Sequence, residues 1–564
     1  MKVYSREHIM LYCALYTMAM LAEGDRILIL PFPWPSHYNS LEKIGVELAK
    51  RGHQVTLLMP STENYTGKTI LNTTIYQVPN LPANTFVKIA ENRLESGKGF
   101  GVSWLVEYIR LLGVFGEALL QDQEIARMAT NADLLLSDTA FLTASIFSGY
   151  HKLPCVFVSP FGHLPGCMAD VLGITENPSY VPTFVATTLF ERIGFPQRMN
   201  FFERSFNVLA NILSKILRHF VTVEILRPLT ERYSSKSLLT LWQETSLVLI
   251  PMDYSLEFPR PDPPHVKIIG PLTPTDNQLA IPQPFSSILE HAVQRVIVVS
   301  FGITNSLHPK YVSLIARELL KLKYTVIWRY NSTKLENISG THGHLLSVNK
   351  SLEKQSETES RCNETVDNGK RSWYTSGAPT SQQDTTEVVY KLGENLHVFD
   401  WLPQQELIQD KRTVLLISHC GINSVYEALY HSTPVLCIPL FGEQFDNAGR
   451  VTSRKVGKAM TLHDLTKESL EHTINDLIND GQYKSNAIKA SRRLRRSTVS
   501  AVEKAAYWIE AVLDEQGDMS YLRPTGSDMS YFVYFSIDIF LCWSAILIGL
   551  PSILTYWLIK KRNK

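Results

Sequence analysis

The sequence predicts an α/β chain of two domains, each built on a parallel β-sheet, followed by one membrane-spanning helix. Short runs of aliphatic and β-branched residues recur along the chain, and several lead directly into a turn and a helical pattern, which is typical of buried parallel strands. A length of 564 residues favours two domains plus an anchor, and a hydrophobic content of 45% is ample for two cores. The net charge of +1 gives no general attraction to nucleic acid, so no nucleic-acid partner is expected.

The first strand–helix–strand pattern carries a histidine where its helix begins. Residues 27–30 (ILIL) and 55–59 (VTLLM) predict strands, with an amphipathic helical pattern between them. His37 lies on the loop at the start of that helix, at the carboxyl end of the first strand. Residues 133–138 (DLLLSD) predict a further strand with Asp138 at its tip. A loop histidine taken alone is more often without a special role, so these residues do not decide a function by themselves.

A second group of motifs lies between residues 401 and 444. Residues 413–417 (TVLLI) predict a strand buried on both faces, followed by a tight turn and a helix. A helix that begins at the end of a parallel strand directs free N–H groups and its positive dipole end at an anion, and open α/β sheets bind ligands at this end. The order of motifs supplies an aromatic ring that can stack on a base, a turn that can bind phosphate and carboxylates that can bind sugar hydroxyls. It therefore predicts a nucleotide-sugar site. The candidate residues are Trp401, Gln404, His419, Gly421, Asn423, Ser424, Glu427, Glu443 and Gln444.

These residues, in this order, resemble the signature of the UDP-glycosyltransferase family, and most closely its membrane-bound animal branch that contains the UDP-glucuronosyltransferases. The resemblance covers nearly the whole mature chain and implies a GT-B fold, with two facing Rossmann-like domains. It implies that Trp401 stacks on uracil, that Gln404 hydrogen-bonds the uracil edge, and that Glu427 accepts from the ribose hydroxyls. The diphosphate would be held by His419 and the turn through Asn423.

The same resemblance concerns the transferred sugar. Glu443 and Gln444 would hold its hydroxyls, and glucuronic acid is the first expected sugar. Two residues depart from the animal pattern, because Cys420 stands where Gly is usual and Glu443 replaces the more frequent Asp. The longer side chain of Glu443 keeps glucose and galactose transfer open as alternatives.

A further donor element lies upstream. Residues 296–300 (VIVVS) predict a buried strand, and the turn that follows resembles the Ser-x-Gly-Ser turn of the family. Gly302 matches that turn, whereas Ile303 stands in place of its last Ser and Thr304 is the candidate hydroxyl donor to phosphate. Residues 326–329 (VIWR) resemble a family strand that ends in Trp-Arg, so Arg329 is a candidate nucleotide contact, with a surface salt bridge as the alternative.

The resemblance also assigns the catalytic pair. A hydroxyl acceptor is a poor nucleophile until its proton is removed, and the family places its base at His37 and the orienting carboxylate at Asp138. The implied reaction is direct displacement with inversion. No cofactor or metal is expected besides the UDP-sugar co-substrate, since the sequence has neither an Asp-x-Asp pair nor Cys-x-x-Cys spacing. A catalytically inactive nucleotide-binding partner of an active paralogue is the alternative from another class.

The two ends of the chain predict its location. A charged start, an apolar run and a small-residue exit predict a cleaved signal peptide. A second apolar run near the other end is long enough to span a bilayer, and the basic tail after it predicts a single-pass type I protein with a lumenal body. The tail resembles a dilysine retrieval signal of the endoplasmic reticulum. A lumenal glycoprotein agrees with the sequons that begin at Asn64, Asn72, Asn331, Asn337, Asn349 and Asn363.

Composition and the resemblance together divide the chain into segments. The segments are a signal peptide (1–22), an acceptor-binding domain (23–275), a UDP-sugar-binding domain (285–500), a closing helix with a pre-membrane turn (501–528), a transmembrane helix (531–559) and a cytosolic tail (560–564). Residues 340–387 within the second domain are polar and lack apolar periodicity, so we expect a disordered insertion there.

An apolar stripe at helical spacing runs from Phe202 to Phe220. Core packing is the simpler interpretation, and contact with the acceptor pocket or with membrane lipid is the alternative. A small lipophilic acceptor is the expected partner on that alternative, and a homo- or hetero-oligomer stays open. Among the cysteines, Cys155 and Cys167 are possible disulfide partners, and Cys437 lies in a predicted core strand.

Overall fold

A computed structural model describes residues 24–63, 69–162, 176–184, 191–273, 280–292, 295–302, 307–331, 334–335, 348–350, 390–392 and 394–563. The described residues form two β-sheets that lie in succession along the chain, and each sheet is flanked by helices. The predicted signal peptide and the sequons at Asn64, Asn337 and Asn363 lie outside these residues.

The first sheet has seven parallel strands in the order β3-β2-β1-β4-β5-β6-β7. Continuous aliphatic runs form its central strands, which are buried on both faces as the sequence predicts. The strands are β1 (Arg26–Leu30), β2 (Gln54–Pro60), β3 (Asn72–Tyr76), β4 (Leu134–Asp138), β5 (Cys155–Val158), β6 (Leu247–Ile250) and β7 (Val266–Ile268).

Eight α-helices in the described residues connect or cover this sheet. They are α1 (Pro35–Lys50), α2 (Thr85–Glu95), α3 (Val102–Gln121), α4 (Gln123–Thr130), α5 (Ala144–His151), α6 (Phe201–Leu217), α7 (Glu224–Tyr233) and α8 (Leu238–Gln243). A π-helical turn, Arg218–Val223, joins α6 to α7.

The second sheet has eight strands in the order β10-β11-β12-β9-β8-β13-β14-β15. The pairs from β12 to β15 are parallel, and β10 and β11 add an antiparallel edge. The strands are β8 (Val296–Ser300), β9 (Thr325–Arg329), β10 (Val348–Lys350), β11 (Tyr390–Leu392), β12 (Leu396–Phe399), β13 (Thr413–Ser418), β14 (Val435–Cys437) and β15 (Gly457–Ala459).

The helices described around the second sheet complete a doubly wound arrangement. They are α9 (Phe285–His291), α10 (Pro309–Leu320), α11 (Gln404–Gln409), α12 (Ile422–Tyr430), α13 (Gln444–Ser453), α14 (Lys467–Asn479), α15 (Gly481–Leu494) and α16 (Ala501–Asp514). Each sheet reverses its strand order once, between β1 and β4 in the first and between β8 and β13 in the second. Ligands of such sheets bind in the crevice at these reversal points.

Helix α16 returns from the second domain to the first. Its buried residues Ala505, Ile509 and Val512 join the core on one face of the first sheet, where α1 also packs. Arg51 Nη1 donates to Glu510 Oε2 at 2.9 Å across the same contact. Helix α16, which follows the second domain in the chain, therefore packs against the first domain.

Among the described residues, the C-terminal segment contains one helix, Ile537–Arg562, that is long and apolar enough to cross a membrane. This helix begins six residues later than position 531, where the sequence places the span. Ser536 has φ of +54°, which is not a right-handed helical angle. It therefore separates the short helix Tyr531–Tyr534 from the long helix that begins at Ile537.

Two other expectations of the sequence analysis are wrong in part. Val348–Lys350 lies in the insertion that was expected to be disordered, yet it pairs with β11; the rest of that insertion lies outside the described residues. Most of the apolar stripe is not core packing, because Phe202 is 81% exposed and Leu209 66% exposed, although Phe206 packs against buried residues. Helix α6 instead buries a small polar face that includes Asn207. The side-chain amide of Asn207 makes hydrogen bonds to backbone groups of residues 178–183.

Candidate active site

His37 and Asp138 lie together at the reversal point of the first sheet. Asp138 is the last residue of β4, and His37 occupies the first turn of α1 rather than the preceding loop. The helix starts earlier than the sequence pattern indicates because Pro35 at its first position has a backbone angle already suited to a helix. His37 Nδ1 is 2.7 Å from Asp138 Oδ2, and Asp138 Oδ1 accepts the Ala140 N–H at 2.7 Å.

This geometry defines which imidazole nitrogen is basic. An ionised carboxylate only accepts hydrogen bonds, so Nδ1 of His37 carries the proton and Nε2 has the free lone pair. The Asp138 side chain is fully buried, whereas that of His37 is 12% exposed. The ring centroids of Phe32 and Phe161 lie 5.3 and 5.4 Å from that of the His37 imidazole, so the imidazole is bordered by apolar side chains. The arrangement can accept a proton from a hydroxyl beside it.

His419 lies at the reversal point of the second sheet, in the turn between β13 and α12; residues 419–421 are called the donor turn below. Its imidazole fits between two glycines. A Cβ on Gly302 would lie 2.7 Å from His419 Cε1, and a Cβ on Gly421 would lie 2.6 Å from its Nε2. Gly302 also has φ of +75°, which favours glycine. Thr304, the other candidate on that upstream turn, lies outside the described residues.

Burial and charge keep His419 neutral. The pKa of His419 is lowered to about 4, mainly by burial and also by the charge of the Arg329 guanidinium. A hydrogen bond to the Ser300 backbone acts in the opposite direction and raises this pKa. Arg329 ends β9, and its Nε donates to the Asp400 carbonyl at 3.3 Å. A neutral imidazole and a guanidinium near the N-terminus of α12 form a site suited to phosphate. Asn423 and Ser424 lie in the first turn of that helix.

The predicted uridine contacts lie beside the helix that follows the donor turn. Gln404 Nε2 donates to Glu427 Oε2 at 2.7 Å and to Ser424 Oγ at 3.0 Å. Burial raises the pKa of Glu427, while the bond from Gln404 and the charge of Lys43 oppose that rise. Trp401, on the loop before α11, is 39% exposed.

Glu443 and Gln444 lie at the N-terminus of α13, close to His37 of the other domain. Burial raises the pKa of Glu443 to about 7, and the charge of His37 opposes that rise. Gln444 is buried, and its Oε1 accepts the N–H groups of Leu440 and Phe441 at 2.8 and 3.1 Å. The structure thus brings the predicted sugar subsite of the second domain next to the predicted base of the first.

The comparisons with known proteins agree with this geometry. The family model described as "UDP-glucoronosyl and UDP-glucosyl transferase" matches residues 25–345 and 385–557. The chain is 26% identical over 552 residues to UDP-glucuronosyltransferase 1A6 of Homo sapiens, covering 94% of this chain and 89% of that protein. It is 26% identical over 539 residues to UDP-glucuronosyltransferase 2C1 of Oryctolagus cuniculus, covering 89% and 92%.

The chain belongs to the UDP-glycosyltransferase family. It is an enzyme that transfers a sugar from a UDP-sugar to an acceptor, which confirms the predicted family. Solved glycosyltransferases show the same fold: the calicheamicin glycosyltransferase CalG4 has a TM-score of 0.51 at 15% identity and covers 87% of this chain and 99% of its own. Os79 from O. sativa has a TM-score of 0.52 at 17% identity, covering 86% and 100%. The predicted GT-B fold is confirmed.

This UDP-glycosyltransferase departs from the family pattern at the insertion and at Cys420. Residues 346–384, which the family model does not match, fall within the predicted insertion. Cys420 has φ of +65°, a conformation that favours glycine, which accounts for the Gly usual at this position in the animal branch. Cys420 forms a disulfide with Cys437, with the Cα atoms 5.2 Å apart. Cys155 is free and buried, and Cys167, its possible partner in the sequence analysis, lies outside the described residues.

Several residues near the site escaped the sequence analysis. Lys43 of α1 is close enough to Glu427 for its charge to act on that carboxyl, and its Nζ donates to the Leu272 carbonyl at 3.4 Å. The ring of Phe441 stacks on that of Phe100 at 4.8 Å and meets that of Trp34 edge-on at 5.9 Å, so aromatic rings of both domains are in contact two residues before Glu443. No local pattern identifies these residues, because their partners lie in the other domain.

Proposed function

We propose that this UDP-glycosyltransferase transfers glucuronic acid, with inversion, to a hydroxyl group of a small lipophilic acceptor. The observation that carries the proposal is the His37–Asp138 pair at 2.7 Å, with Nε2 left basic and Glu443 nearby. An inactive regulatory partner would have no need for an oriented base beside a sugar subsite. We therefore favour the enzyme over that alternative.

The proposed reaction is a single displacement. His37 Nε2 takes the acceptor hydroxyl proton as the acceptor oxygen bonds to the anomeric carbon of the sugar, and Asp138 stabilises the imidazolium. The bond between that carbon and the β-phosphate oxygen breaks at the same time, and UDP leaves with the electron pair. His419, Arg329 and the N-terminus of α12 receive the charge. We propose that no metal takes part in this step.

The donor assignment rests on complementary contacts. Trp401 would stack on uracil, and Gln404 and Glu427 would bind the uracil edge and the ribose. Glu443 and Gln444 would bind hydroxyls of the sugar. Glucuronic acid is preferred because the relatives that cover most of this chain are named UDP-glucuronosyltransferases. Glucose or galactose transfer is the second candidate, since the carboxyl of Glu443 reaches one methylene further than the usual Asp.

Two features support a lipophilic acceptor and a membrane location. The walls around His37 are aromatic. The exposed apolar face of α6 and of the π-helical turn after it, with Phe202, Leu209 and Phe220 all more than half exposed, would contact the membrane surface or guide apolar acceptors. We propose an endoplasmic reticulum membrane protein with lumenal domains, anchored by Ile537–Arg562.

Product analysis in membranes tests this proposal. Microsomes that contain the full chain are supplied in turn with UDP-glucuronic acid, UDP-glucose and UDP-galactose, together with a mixed panel of phenols, sterols and bile acids. Mass spectrometry should detect conjugates with glucuronic acid in the wild type and about 10²–10⁴-fold less product with His37→Ala. Equal product formation by wild type and variant would contradict the proposed base, and hexose conjugates alone would favour the second candidate.

A further inference from the structure

Asn447 links the donor turn to the acceptor domain and lies outside the predicted site. It is fully buried on α13, and both polar atoms of its side chain make a hydrogen bond. Its Nδ2 donates to the Cys420 carbonyl at 3.0 Å, and its Oδ1 accepts from Arg450 Nη1 at 2.9 Å. A guanidinium only donates and a carbonyl only accepts, so these partners fix the orientation of the amide without ambiguity.

The bond from Asn447 also sets the direction of the next backbone N–H. The Cys420–Gly421 peptide is planar and trans, so its carbonyl and the Gly421 N–H point in opposite directions. With the carbonyl held towards α13, the Gly421 N–H points away from α13. Within the part of the chain that the structure describes, this N–H has no hydrogen-bond partner. It precedes the first amides of α12, whose N-terminus has no side-chain cap.

We propose that Asn447 is a positioning residue of the donor site, which holds the Cys420–Gly421 peptide so that the Gly421 N–H is offered to the donor diphosphate. Cys420 makes such a brace necessary, because its φ of +65° is unfavourable for a residue with a Cβ. A flip of this peptide would turn the carbonyl, instead of the N–H, towards the phosphate. This inference rests on the proposed diphosphate site at the donor turn.

The brace continues into the acceptor domain. Arg450 Nε donates to Glu257 Oε1 at 2.8 Å, and both side chains are buried. Burial opposes the ionisation of Glu257, but the guanidiniums of Arg450 and Arg260 hold its pKa below the usual value, so the pair is charged. The same acceptor-domain segment bonds to α12, where the Tyr426 hydroxyl accepts the Asp253 N–H at 2.7 Å. Both α12, which follows the donor turn, and α13, which carries Asn447, are therefore hydrogen-bonded to the first domain.

The ratio of UDP affinity to uridine affinity tests the role of Asn447. Uridine uses the predicted contacts of Trp401, Gln404 and Glu427, whereas UDP adds the diphosphate. Both ligands are titrated calorimetrically into the detergent-solubilised full chain. Asn447→Asp keeps the side-chain volume and the acceptor for Arg450 but cannot donate to Cys420. We expect it to weaken UDP binding about tenfold, the value of a hydrogen bond to a charged group, and to leave uridine binding within about twofold.

Thr452→Ala is the matched control, because among the described residues the Thr452 hydroxyl bonds only to the carbonyls of Ala448 and Gly449 on its own helix, at 3.0 and 2.9 Å. It should bind both ligands as the wild type does. UDP binding by Asn447→Asp within about twofold of the wild type, or equal weakening of both ligands, would overturn the inference. A wild type that binds neither ligand would instead contradict the proposed donor site.

Hydrogen–deuterium exchange of the unmodified chain gives a second measurement, which does not depend on the folding of a variant. UDP should slow the exchange of the peptide that contains Gly421, and uridine should not. Equal protection by the two ligands would also overturn the inference, because the diphosphate would then make no contact of its own with this amide.

Discussion

His37 and Asp138 are 101 residues apart in sequence, yet His37 Nδ1 lies 2.7 Å from Asp138 Oδ2. The contact forms because β1 and β4 are neighbours in a parallel sheet, so that the residues following β1 and ending β4 meet at one edge. The carboxylate is held on its other side by the Ala140 N–H. Its orientation is therefore set before any substrate binds.

Asp138→Asn should lower kcat by about 10²–10⁴-fold, because the amide no longer stabilises the imidazolium or fixes the tautomer. The affinity for UDP should stay unchanged, as the donor lies in the other domain. Asp133→Asn is the matched control at the opposite end of the same strand, where the carboxylate accepts the Arg26 N–H at 2.8 Å. Equal kcat losses in the two variants, measured by UDP release, would show a structural effect instead.

Glu427→Gln should weaken UDP binding about tenfold, because the carboxylate that we propose as the acceptor for the ribose hydroxyls is replaced by an amide, which also has to face the Nε2 donor of Gln404. Glu406→Gln serves as the control, since Glu406 influences Glu427 only by its charge. Isothermal titration with UDP measures both variants. Unchanged affinity in Glu427→Gln would contradict the proposed ribose contact.

Glu443 should make the free protein less stable as pH rises from about 4.5 to about 7. Burial raises the pKa of Glu443 to about 7, so the folded state binds a proton that the unfolded state releases, and the contribution is fully present below pH 4.5 and lost by pH 7. His419, with its pKa lowered to about 4, acts in the opposite direction over about pH 4 to 6.5.

Glu443→Gln separates the two effects, because it removes only the contribution of Glu443. The melting temperature of the variant should match that of the wild type near pH 4.5 and exceed it at pH 7 and above. Glu63→Gln provides a comparison, since burial also raises the pKa of Glu63 to about 7 at a position outside the proposed site. A difference between Glu443→Gln and the wild type that does not vary with pH would contradict this account.

Phe206→Ala should lower the free energy of unfolding by about 1–2 kcal/mol, because Phe206 packs against the buried Phe195 and Met199. Phe202→Ala should change it by less than about 0.5 kcal/mol, since that ring is 81% exposed. Chemical denaturation of the two variants measures this contrast. An effect of Phe202→Ala as large as that of Phe206→Ala would mean that the exposed face is covered in the native protein.

Local patterns were sufficient for most of the secondary structure near the site. The runs at β1, β4, β8 and β13 are short and continuously aliphatic, and each is followed by a turn and a helix, so their ends could be assigned from the sequence. The motif from Trp401 to Gln444 follows consecutive elements from α11 to the start of α13, which is why its members could be predicted together. Helix boundaries were less accurate where a single residue, such as Pro35 or Ser536, sets the backbone conformation.

The exposure of an apolar helical face could not be predicted in the same way. The stripe from Phe202 to Phe220 has the period of a core helix, and the sequence alone favours burial. The structure instead buries the opposite face, where Asn207 bonds to three backbone groups between residues 178 and 183. Periodicity identifies a face, but the partner that covers it depends on packing.

The sequence by itself determined the family, the two-domain α/β plan and the candidate residues for the chemistry, because each of these depends on patterns within one or two neighbouring elements. Only the tertiary structure decided how the halves meet: Glu443 beside His37, Lys43 near Glu427, and Asn447 on the Cys420 carbonyl with Arg450 reaching Glu257. These contacts join residues of different elements, and several cross between the domains, so they depend on how helices and sheets pack and leave no local spacing in the chain. The physical reason is that the energy of a buried hydrogen bond or ion pair depends on geometry between distant segments, which one strand or helix cannot specify.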